Sequence, residues 1–435
     1  MKVSKYNHFI PFSEEQSIAY NARTNALALI SNEKLAIYKQ FVEHGNSIND
    51  SDFVSDLMRG SFLMTDEIDE LDLVRLNMLR GRYATNALSF TVVPTSACNF
   101  NCIYCYEKKS IGHDFMSEAV QDAVVSALEA RKDCTQVFSV TWYGGEPLLA
   151  LPIIEKLSTR FMDICEQSQI KYSAKIITNG YLLTKEVLET LNRLSVDFIQ
   201  VTLDGGPEQH NKRRPLTNGG ETFWEILKNL KDGHDLLPRV ALRINIDSEN
   251  VDSGEQIKSY LDTHGLSDKV TPYFGRTRND NDCYSDDKCI NSCDFAEIEF
   301  DFAYEVEQSK SKGAVYYPDV KSFFCCADRI NSFVISPSGA LYKCWVDIGN
   351  TDKCVGDIAN PFKNINNTFL DYMLFDPTMV SQCKDCNILP ICMGGCPFQR
   401  VERGDQECFR YKYILERCLV NTTLALKNAK QVSSE

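Results

Sequence analysis

Three cysteines within eight positions carry the most specific chemistry in this sequence. They lie in the stretch CNFNCIYCYE as Cys98, Cys102 and Cys105, separated by three and then by two residues. A structural zinc site needs four ligands, usually two cysteine pairs about 12–20 residues apart. No second pair follows here, because the next cysteine is the isolated Cys134. Three thiolates at this spacing suit three irons of a [4Fe–4S] cluster and leave the fourth iron open. We therefore favour a reactive iron–sulfur cluster over a structural zinc.

The other cysteines are unevenly distributed. Thirteen of the 18 cysteines fall between positions 283 and 418. The sequence shows no secretory signal after Met1 and no run of the roughly 18 apolar residues that a spanning helix needs. We therefore expect a cytoplasmic protein with no membrane partner. Because a reducing compartment disfavours disulfides, many of these cysteines are predicted metal ligands. Cys134 and Cys165 are instead predicted to be small core residues.

The amino-acid composition and net charge indicate which kinds of binding partner the protein does not suit. The 435 residues carry a formal charge of −14, with 43% hydrophobic and 24% charged residues. Such a composition is ordinary for a soluble globular protein of two or three domains. The acidity argues against nucleic acid or an anionic membrane as the main partner.

The middle of the chain alternates short β-rich runs with helical segments. The runs are LSFTVVPT, VFSVTWY, SAKIIT, DFIQVTLD, VALRINID and KVTPYF. Six β/α repeats imply a parallel sheet with right-handed crossovers, so we predict an α/β fold with a partial (β/α)6 barrel over residues 91–280. Chemistry in such folds lies at the C-terminal ends of the strands, and CNFNCIYCYE directly follows the first run.

Three further regions flank the predicted barrel. Residues 1–90 form an N-terminal α+β prelude, with two strands in SIAYNARTNALALI and helices in SNEKLAIYKQFVEHG and TDEIDELDLVRLNMLRG. The second helix is expected to begin near Thr65. The prelude either handles a leader peptide or packs against the next domain. Residues 281–322 are a bridge, and residues 323–435 form a cysteine-rich C-terminal domain that ends in a helix.

The CxxxCxxC pattern after a first barrel strand resembles the radical S-adenosylmethionine superfamily. The resemblance implies that S-adenosylmethionine chelates the open iron and that Tyr104 lies along the adenine. A second element, Gly144-Gly145-Glu146-Pro147, follows the second strand and resembles the family's GGEP element, which holds the ligand's ammonium group. Glycines permit close backbone approach, and a glutamate offers charge-assisted acceptors. A plain turn is the alternative interpretation.

Weaker matches to sequence elements of this superfamily lie at the ends of the third and fourth strands and on the fifth. They are Asn179 in TNG, Thr202 and Asp204 in TLDG, and Arg243 in ALRINID. The resemblance places Thr202 and Asp204 near the ribose and Arg243 near the cofactor's carboxylate. Asn-Gly and Asp-Gly are also ordinary turn sequences, so a purely structural role is the alternative.

The C-terminal cysteines resemble the SPASM domain, an auxiliary-cluster module of radical enzymes that modify peptides and proteins. The spacings are C-x2-C-x5-C-x3-C over residues 383–396, and C-x12-G-x4-C over residues 326–344. The module implies two auxiliary [4Fe–4S] clusters. The ligands implied for one are Cys326, Cys344 and Cys396. Those implied for the other are Cys383, Cys386, Cys392 and a final cysteine, for which Cys408 fits better than Cys418. For the fourth ligand of the former, the candidates are Cys325, Cys354, Cys283, Cys289 and Cys293, or the iron is open.

The resemblance implies a function that uses S-adenosylmethionine and three [4Fe–4S] clusters. We predict an enzyme that abstracts hydrogen from a ribosomally made precursor peptide and installs an oxidative crosslink through carbon–carbon, ether or thioether bonds. Cyclophane or darobactin-like crosslinking is one subtype. The expected partners are the precursor peptide and an external one-electron reductant such as flavodoxin or ferredoxin.

Two alternatives compete with a crosslinking enzyme. An anaerobic sulfatase maturase, which makes formylglycine from Cys or Ser, resembles the chain in the SPASM region. Those enzymes carry an acidic base directly after the G-x4-C pattern, whereas Cys344 is followed by Trp345 and only later by Asp347. They also lack a long prelude. A non-catalytic iron–sulfur sensor is the alternative from another class, although a sensor needs no GGEP element. No acid–base residue for crosslinking can be chosen from the sequence.

Overall fold

A computed structural model describes residues 1–309, 315–361, 363, 365–404 and 407–432. The chain divides into two compact units. The first unit comprises Met1–Arg82, Ser292–Cys325 and Phe375–Glu435, and the second comprises Tyr83–Asn291 and Cys326–Leu374. The predicted C-terminal region from residue 323 is therefore shared between both units. Residues 310–314 of the predicted bridge lie outside the described residues, and the four predicted domain boundaries stay predictions.

The first 82 residues form two small sheets and three helices. The strands are β1 (Lys2–Val3), β2 (Asn7–Pro11), β3 (Gln16–Asn21), β4 (Ala26–Ser31) and β5 (Leu63–Met64). The helices are α1 (Asn32–His44), α2 (Ser51–Arg59) and α3 (Glu70–Arg82). Strands β2, β3 and β4 are antiparallel in that order, and β1 pairs with β5. This confirms the predicted strand pair and helices.

Local capping explains where these helices begin and end. The Ser31 side chain accepts a hydrogen bond from the Lys34 N–H at the start of α1, and Gly45 ends the helix with a left-handed φ of 69°. Helix α3 begins later than the predicted Thr65. Its start is set by Asp69, whose carboxylate accepts from the Leu71 N–H at 2.8 Å.

Residues 83–291 form the predicted alternation of strands and helices. The strands are β6 (Ala87–Val92), β7 (Val137–Trp142), β8 (Lys171–Ile177), β9 (Val196–Thr202), β10 (Arg239–Ile246) and β11 (Val270–Arg276). The helices are α4 (Glu118–Glu129), α5 (Leu151–Gln167), α6 (Lys185–Arg193), α7 (Pro207–Arg213), α8 (Phe223–Asp232) and α9 (Ser253–Thr263). The six strands pair in parallel in chain order, which confirms the α/β class and the partial barrel. The fully buried Phe90, Phe138 and Trp142 lie in its core.

The remaining elements are divided between the units. The helices are α10 (Ser292–Ser309), α11 (Asn367–Leu374), α12 (Ser381–Lys384), α13 (Leu389–Cys392), α14 (Pro397–Arg403) and α15 (Tyr411–Val432). The strands are β12 (Ser332–Ile335), β13 (Ala340–Tyr342) and β14 (Gly356–Asp357). Strand β12 pairs in parallel with β6 and thereby extends the barrel sheet beyond its first strand. No helix in the described part of the chain is both long and apolar enough to cross a membrane.

The prelude and the C-terminal cysteine segment share one core in the first unit. Side chains from β2, β3 and α3 pack with those of α10, α13 and α15. The Lys5 ammonium donates to the Lys384 carbonyl at 2.8 Å, and the His8 Nε2 lies 3.2 Å from the Asn387 carbonyl oxygen. The prelude therefore packs directly on the segment that carries the C-x2-C-x5-C spacing.

Candidate active site and cluster ligands

The cysteine loop follows β6 and is paired with a second loop that follows α7. The N–H groups of Asn101 and Ile103 donate to the carbonyls of Pro215 and Arg213, at 2.9 and 3.0 Å. The Thr217 N–H donates to the Asn99 carbonyl at 2.9 Å. These bonds fix the backbone around Cys98 and Cys102 at the C-terminal edge of the parallel strands.

The three thiols of this loop are electrostatic neighbours. Burial, together with the charges of Glu146 and Cys102, raises the pKa of Cys98 to about 12. Burial also raises the pKa of Cys105, as do the charges of Glu107, Cys102 and Cys98. Buried thiolates need a compensating cation, so this donor set fits an iron cluster.

A site for one metal ion needs ligand atoms that converge on a single point, unlike a site for an iron–sulfur cluster. Among the described residues, no three His, Cys, Asp or Glu side chains converge closely enough to hold one metal ion. The corners of a cubane hold their ligand sulfurs farther apart than one ion does. The three thiols therefore match an iron cluster in their chemistry and in their position on one loop.

The two glycines of GGEP allow the second strand's end to touch the cysteine loop. A Cβ at Gly145 would lie 2.2 Å from the Ala97 carbonyl oxygen, and Gly144 has a φ of 122°. The Glu146 N–H donates to that same carbonyl at 2.8 Å. The sequence interpretation attributed these glycines to close approach of a ligand. In the structure they provide close approach of the chain to the backbone before Cys98.

The Glu146 carboxylate links the ends of the second and third strands. It is 0% exposed. It accepts hydrogen bonds from the Leu148 N–H, the Thr178 hydroxyl and the Asn179 N–H, at 3.0, 2.7 and 2.7 Å. Burial raises its pKa, and these bonds oppose the shift. The next residue, Pro147, begins a short 3-10 turn. The predicted contact of Glu146 with an ammonium group stays a prediction.

The structure brings Tyr104 and Asp204 together. The Tyr104 hydroxyl donates to the Asp204 carboxylate and accepts from Arg214 Nη1 at 2.8 Å and Asn245 Nδ2 at 3.0 Å. The Arg213 guanidinium lies 5.1 Å from the centre of the Tyr104 ring. Tyr104 is therefore held at both its ring and its hydroxyl.

Thr202 and Arg243 are partners in neighbouring parallel strands. Arg243 Nε donates to Asn245 Oδ1 at 2.6 Å, and a Cβ at Gly275 would lie 2.4 Å from the Arg243 guanidinium carbon. Gly275 thus leaves room for this side chain. The predicted contact of the Arg243 guanidinium with the cofactor's carboxylate stays a prediction.

Sequence reasoning missed a buried ion pair beside Tyr104. Arg213 Nη1 lies 2.7 Å from Asp247 Oδ2, and the Tyr284 hydroxyl donates to the same oxygen at 2.6 Å. Arg213 also lies 3.6 Å from Asp204 Oδ2. The signal available in the sequence was the basic pair Arg213-Arg214 shortly after TLDGG in an acidic chain.

A second missed group surrounds the residue after Cys105. The hydroxyls of Tyr106 and Tyr143 are hydrogen-bonded, and the Tyr143 ring stacks on Trp345 at 4.7 Å between centroids. Glu107 is 6% exposed, and burial raises its pKa to about 7. Aromatic side chains therefore fill the space where β7 ends and the segment after Cys344 begins.

Four C-terminal cysteines are grouped in the first unit. Burial, together with the charges of Cys392, Cys386 and Cys408, raises the pKa of Cys383 to about 11. Cys418 is 0% exposed in the core that also contains Cys392, but it is not among the charges that act on Cys383. The structure thus places Cys408, and not Cys418, beside the other three thiols.

The other predicted auxiliary ligands do not fall in one unit. Cys396 precedes α14 in the first unit, whereas Cys326 and Cys344 belong to the second. Among the candidates for a fourth ligand, Cys283 Sγ lies 3.8 Å from the Tyr106 carbonyl oxygen and Cys354 Sγ lies 3.1 Å from the Gly356 carbonyl oxygen. This ligand set stays a prediction.

The two isolated cysteines differ. Cys165 is 2% exposed in α5, which confirms a core position. The same prediction for Cys134 is wrong, because this residue ends the short 3-10 turn Lys132–Cys134 and is exposed.

Residues 92–261 match the model of the radical SAM superfamily. They contain the cysteine loop, the GGEP element and strands β7 to β10. Residues 92–261 form a radical SAM domain. Members of this superfamily are enzymes. The match supports S-adenosylmethionine and a [4Fe–4S] cluster as cofactors of the domain.

Curated relatives match the chain at low identity. An uncharacterized protein of Methanocaldococcus jannaschii is 27% identical over 172 residues, which are 39% of this chain and 52% of that protein. The chain thus spans about half the length of that relative. A cysteine-type anaerobic sulfatase-maturating enzyme of Clostridium novyi is 25% identical over 348 residues, 71% of this chain and 88% of that enzyme.

Solved structures extend the likeness beyond the radical SAM domain. The structure of anSMEcpe with bound AdoMet and Cp18Cys peptide has a TM-score of 0.59 at 19% identity, covering 78% of this chain and 99% of that one. Streptococcus suis SuiB bound to precursor peptide SuiA has a TM-score of 0.55 at 14% identity, covering 94% and 98%. At these identities the likeness is one of fold.

Proposed function

We propose that the protein abstracts a hydrogen atom from a side chain of a ribosomally made precursor peptide and installs an oxidative crosslink there. The packing of the prelude on the cysteine segment in the first unit already gives the prelude a structural role, so the peptide assignment is carried by a likeness in fold. The likeness to SuiB, which was solved with a precursor peptide, spans 94% of the chain and so includes most of residues 1–90.

The chain's own residues would bind and orient the cofactor. When bound, S-adenosylmethionine beside a reduced [4Fe–4S] cluster would supply the radical chemistry for hydrogen abstraction. Cys98, Cys102 and Cys105 would hold the cluster, and Arg243 would meet the cofactor's carboxylate. Glu146 orients the backbone at Asn179 through its hydrogen bond. A fixed site of this kind lowers the entropic cost of bringing the reacting atoms together.

Auxiliary clusters would accept the second electron and make the net change oxidative. The thiols of Cys383, Cys386, Cys392 and Cys408 would hold one of them, a proposal supported by their grouping. A second auxiliary cluster rests on the SPASM resemblance of Cys326, Cys344 and Cys396. Three clusters correspond to about 12 irons per chain. An external carrier such as flavodoxin or ferredoxin would deliver the reducing electron.

The second candidate is an anaerobic sulfatase maturase. It is favoured by the Clostridium novyi relative, of which the alignment covers 88%. Against it, the residue after Cys344 is Trp345, whose ring stacks on Tyr143. Asp347 is 2% exposed and accepts a hydrogen bond from the Tyr372 hydroxyl at 2.7 Å. Its carboxylate is therefore buried and already hydrogen-bonded within the protein.

A mass-spectrometric assay separates the two candidates. The reconstituted protein is incubated anaerobically with S-adenosylmethionine, dithionite and a short peptide encoded beside its gene. We expect loss of two hydrogens and a fragmentation pattern that shows a crosslink between two side chains. Conversion of a Cys or Ser to formylglycine would instead establish the sulfatase maturase.

A further inference from the structure

Two adjacent buried arginines of the second unit differ in their ionic partners. Arg213 forms ion pairs with Asp247 at 2.7 Å and with Asp204 at 3.6 Å. Arg214 is 8% exposed, and no carboxylate among the described residues lies within ion-pair distance of it. In the described part of the chain its side chain forms one hydrogen bond, from Nη1 to the Tyr104 hydroxyl. Arg214 is therefore a buried cation whose charge no carboxylate neutralises at short range, and such a charge needs an anion.

Three contacts place Arg214 against the cysteine loop. Its Nη1 lies 2.8 Å from the Tyr104 hydroxyl, and its guanidinium carbon lies 5.7 Å from the centre of the Phe100 ring. The Ile103 N–H donates to the carbonyl of the preceding residue, Arg213, at 3.0 Å. All three contacted loop residues lie between the first and the last cysteine of the loop. The guanidinium is therefore held at the part of the chain that carries the predicted cluster ligands.

The strongest attraction on Arg214 comes from Cys102. Burial lowers the pKa of Arg214, but the charges of Cys102, Tyr104 and Asp204, in that order, outweigh it and hold the pKa above its usual value. Burial raises the pKa of the Cys102 thiol, and the charge of Arg214 is the largest effect that opposes this. Asp204 already accepts hydrogen bonds from the Tyr104 hydroxyl and the Asn245 N–H. A thiolate at Cys102 is thus the anion left for Arg214.

The donors of Arg214 suit the sulfurs of an iron–sulfur cluster. A guanidinium offers several N–H donors in a fixed fork, and only the bond to Tyr104 uses one of them within the described residues. The Nε atom is enclosed by the protein, so the donors available to a ligand are those of Nη1 and Nη2. Hydrogen bonds to the sulfurs and the net charge around a cluster both set its reduction potential.

A buried cation beside such a cluster favours the reduced form. A [4Fe–4S] cluster bound by three thiolates carries net negative charge, and one-electron reduction adds a further negative charge. The attraction of a cation for that charge is strong because the surroundings are buried and of low dielectric constant. Removal of the cation should therefore make the cluster harder to reduce.

We propose that Arg214 is the counter-ion of the cluster on the cysteine loop and that its charge stabilises the electron which this cluster receives. This inference rests on the proposed function, because it assumes a [4Fe–4S] cluster on Cys98, Cys102 and Cys105. One electron passes from the external carrier, which is oxidised, to the cluster, which is reduced, and no covalent bond forms or breaks. Arg214 thereby sets how readily the first electron transfer occurs.

The test is a redox titration followed by electron paramagnetic resonance. The full chain is reconstituted with iron and sulfide and titrated anaerobically with dithionite, without S-adenosylmethionine. The signal that is followed is the one missing from the variant with Cys98, Cys102 and Cys105 replaced by alanine. Arg214→Gln should lower the equilibrium constant for one-electron reduction at least about tenfold, which is a fall of about 59 mV in midpoint potential.

Two further variants separate the charge of Arg214 from its shape. Arg214→Lys keeps the positive charge and should recover at least about half of the fall in potential. Arg193→Gln is the matched control, because it removes an exposed arginine of α6 that pairs with Glu155 at 3.0 Å. It should leave the potential unchanged. Iron content and circular dichroism check that each variant retains its cluster and its fold.

Three results would overturn the inference. One is a fall of less than tenfold in an Arg214→Gln variant that retains its cluster. Another is recovery of less than half of the fall in Arg214→Lys. The third is an equal fall in Arg193→Gln. If Arg214→Gln loses its iron, Arg214→Lys decides the question: a retained cluster supports the role of the charge, and a lost cluster overturns it.

Failure of the proposed function would look different from failure of this inference. The variant with the three loop cysteines replaced by alanine would then show every signal and all the iron of the unaltered protein. An unchanged potential in Arg214→Gln, with the signal of the loop cluster present, would refute only the role of Arg214.

Discussion

The contact between Gly145 and Ala97 predicts that one added methyl group disrupts the active site. In Gly145→Ala, the new Cβ would lie 2.2 Å from the Ala97 carbonyl oxygen and 2.8 Å from the Ser96 carbonyl oxygen. Carbon contacts are ordinarily about 3.5 Å or longer, so the two backbones must separate by roughly 1 Å. Both contacts are with backbone, and neither can be relieved by a side-chain rotation.

The displaced segment leads directly into Cys98. Overpacking of this kind costs about 1–3 kcal/mol of folding free energy. A misplacement of about 1 Å at a reacting site can lower the rate about 100-fold. We therefore expect Gly145→Ala to fold, with a lower denaturation midpoint, and to release 5′-deoxyadenosine about 100 times more slowly than the unaltered protein.

The assay is quantification of 5′-deoxyadenosine by liquid chromatography after anaerobic reduction, with iron content measured in parallel. Gly112→Ala is the matched control, because its Cβ would meet only the Ser96 hydroxyl, at 3.1 Å, and the Asp114 side chain. It should retain most of the activity. If Gly145→Ala matches the control in rate, the close backbone approach does not position the cysteine loop and this reasoning is refuted.

Three further predictions concern the cysteines, Glu146 and the buried ion pair. Cys408→Ala should lose about four of about 12 irons, whereas Cys418→Ala should keep all of them and only unfold more easily. The reverse pattern in iron analysis would refute the grouping of Cys408 with Cys383, Cys386 and Cys392. Glu146→Gln places an amide N–H₂ group among three hydrogen-bond donors, so the free energy of unfolding should fall by about 1–3 kcal/mol. Denaturant titration measures this loss, and an unchanged unfolding midpoint would contradict the prediction. Burial raises the pKa of Asp247, but hydrogen bonds from Tyr284 and Arg213 outweigh it and hold the pKa below its usual 3.8. The contribution of the ionised Asp247 carboxylate to folding stability is therefore present above about pH 4 and is lost as the pH falls through the lowered pKa of the folded state. The difference in the free energy of unfolding between the unaltered protein and Asp247→Asn should therefore shrink in acid.

Local patterns in the sequence predict the barrel strands well. The run VFSVTWY corresponds to Val137–Trp142, and KVTPYF corresponds to most of Val270–Arg276. The first of these runs is clear because it alternates apolar and polar residues, and its apolar residues Phe138, Val140 and Trp142 are buried. The cysteine loop is equally predictable, since the thiols and the strand before it lie within a few residues.

Long-range packing explains what the sequence could not predict. The prelude and the C-terminal segment share a core although their residues are hundreds of positions apart. The pairing of the cysteine loop with residues 213–217 likewise depends on tertiary contacts, so no local pattern indicates a role for Arg213 and Arg214. Cys134 was misassigned because a single cysteine carries no signal that separates a core position from an exposed turn.

The most direct test of the account is the release of 5′-deoxyadenosine by the reconstituted protein. With S-adenosylmethionine and dithionite under anaerobic conditions, the unaltered chain should release it, and the variant with Cys98, Cys102 and Cys105 replaced by alanine should release none. Release at the same rate from both proteins, or from neither, would contradict the assignment of a radical-generating cluster to this loop.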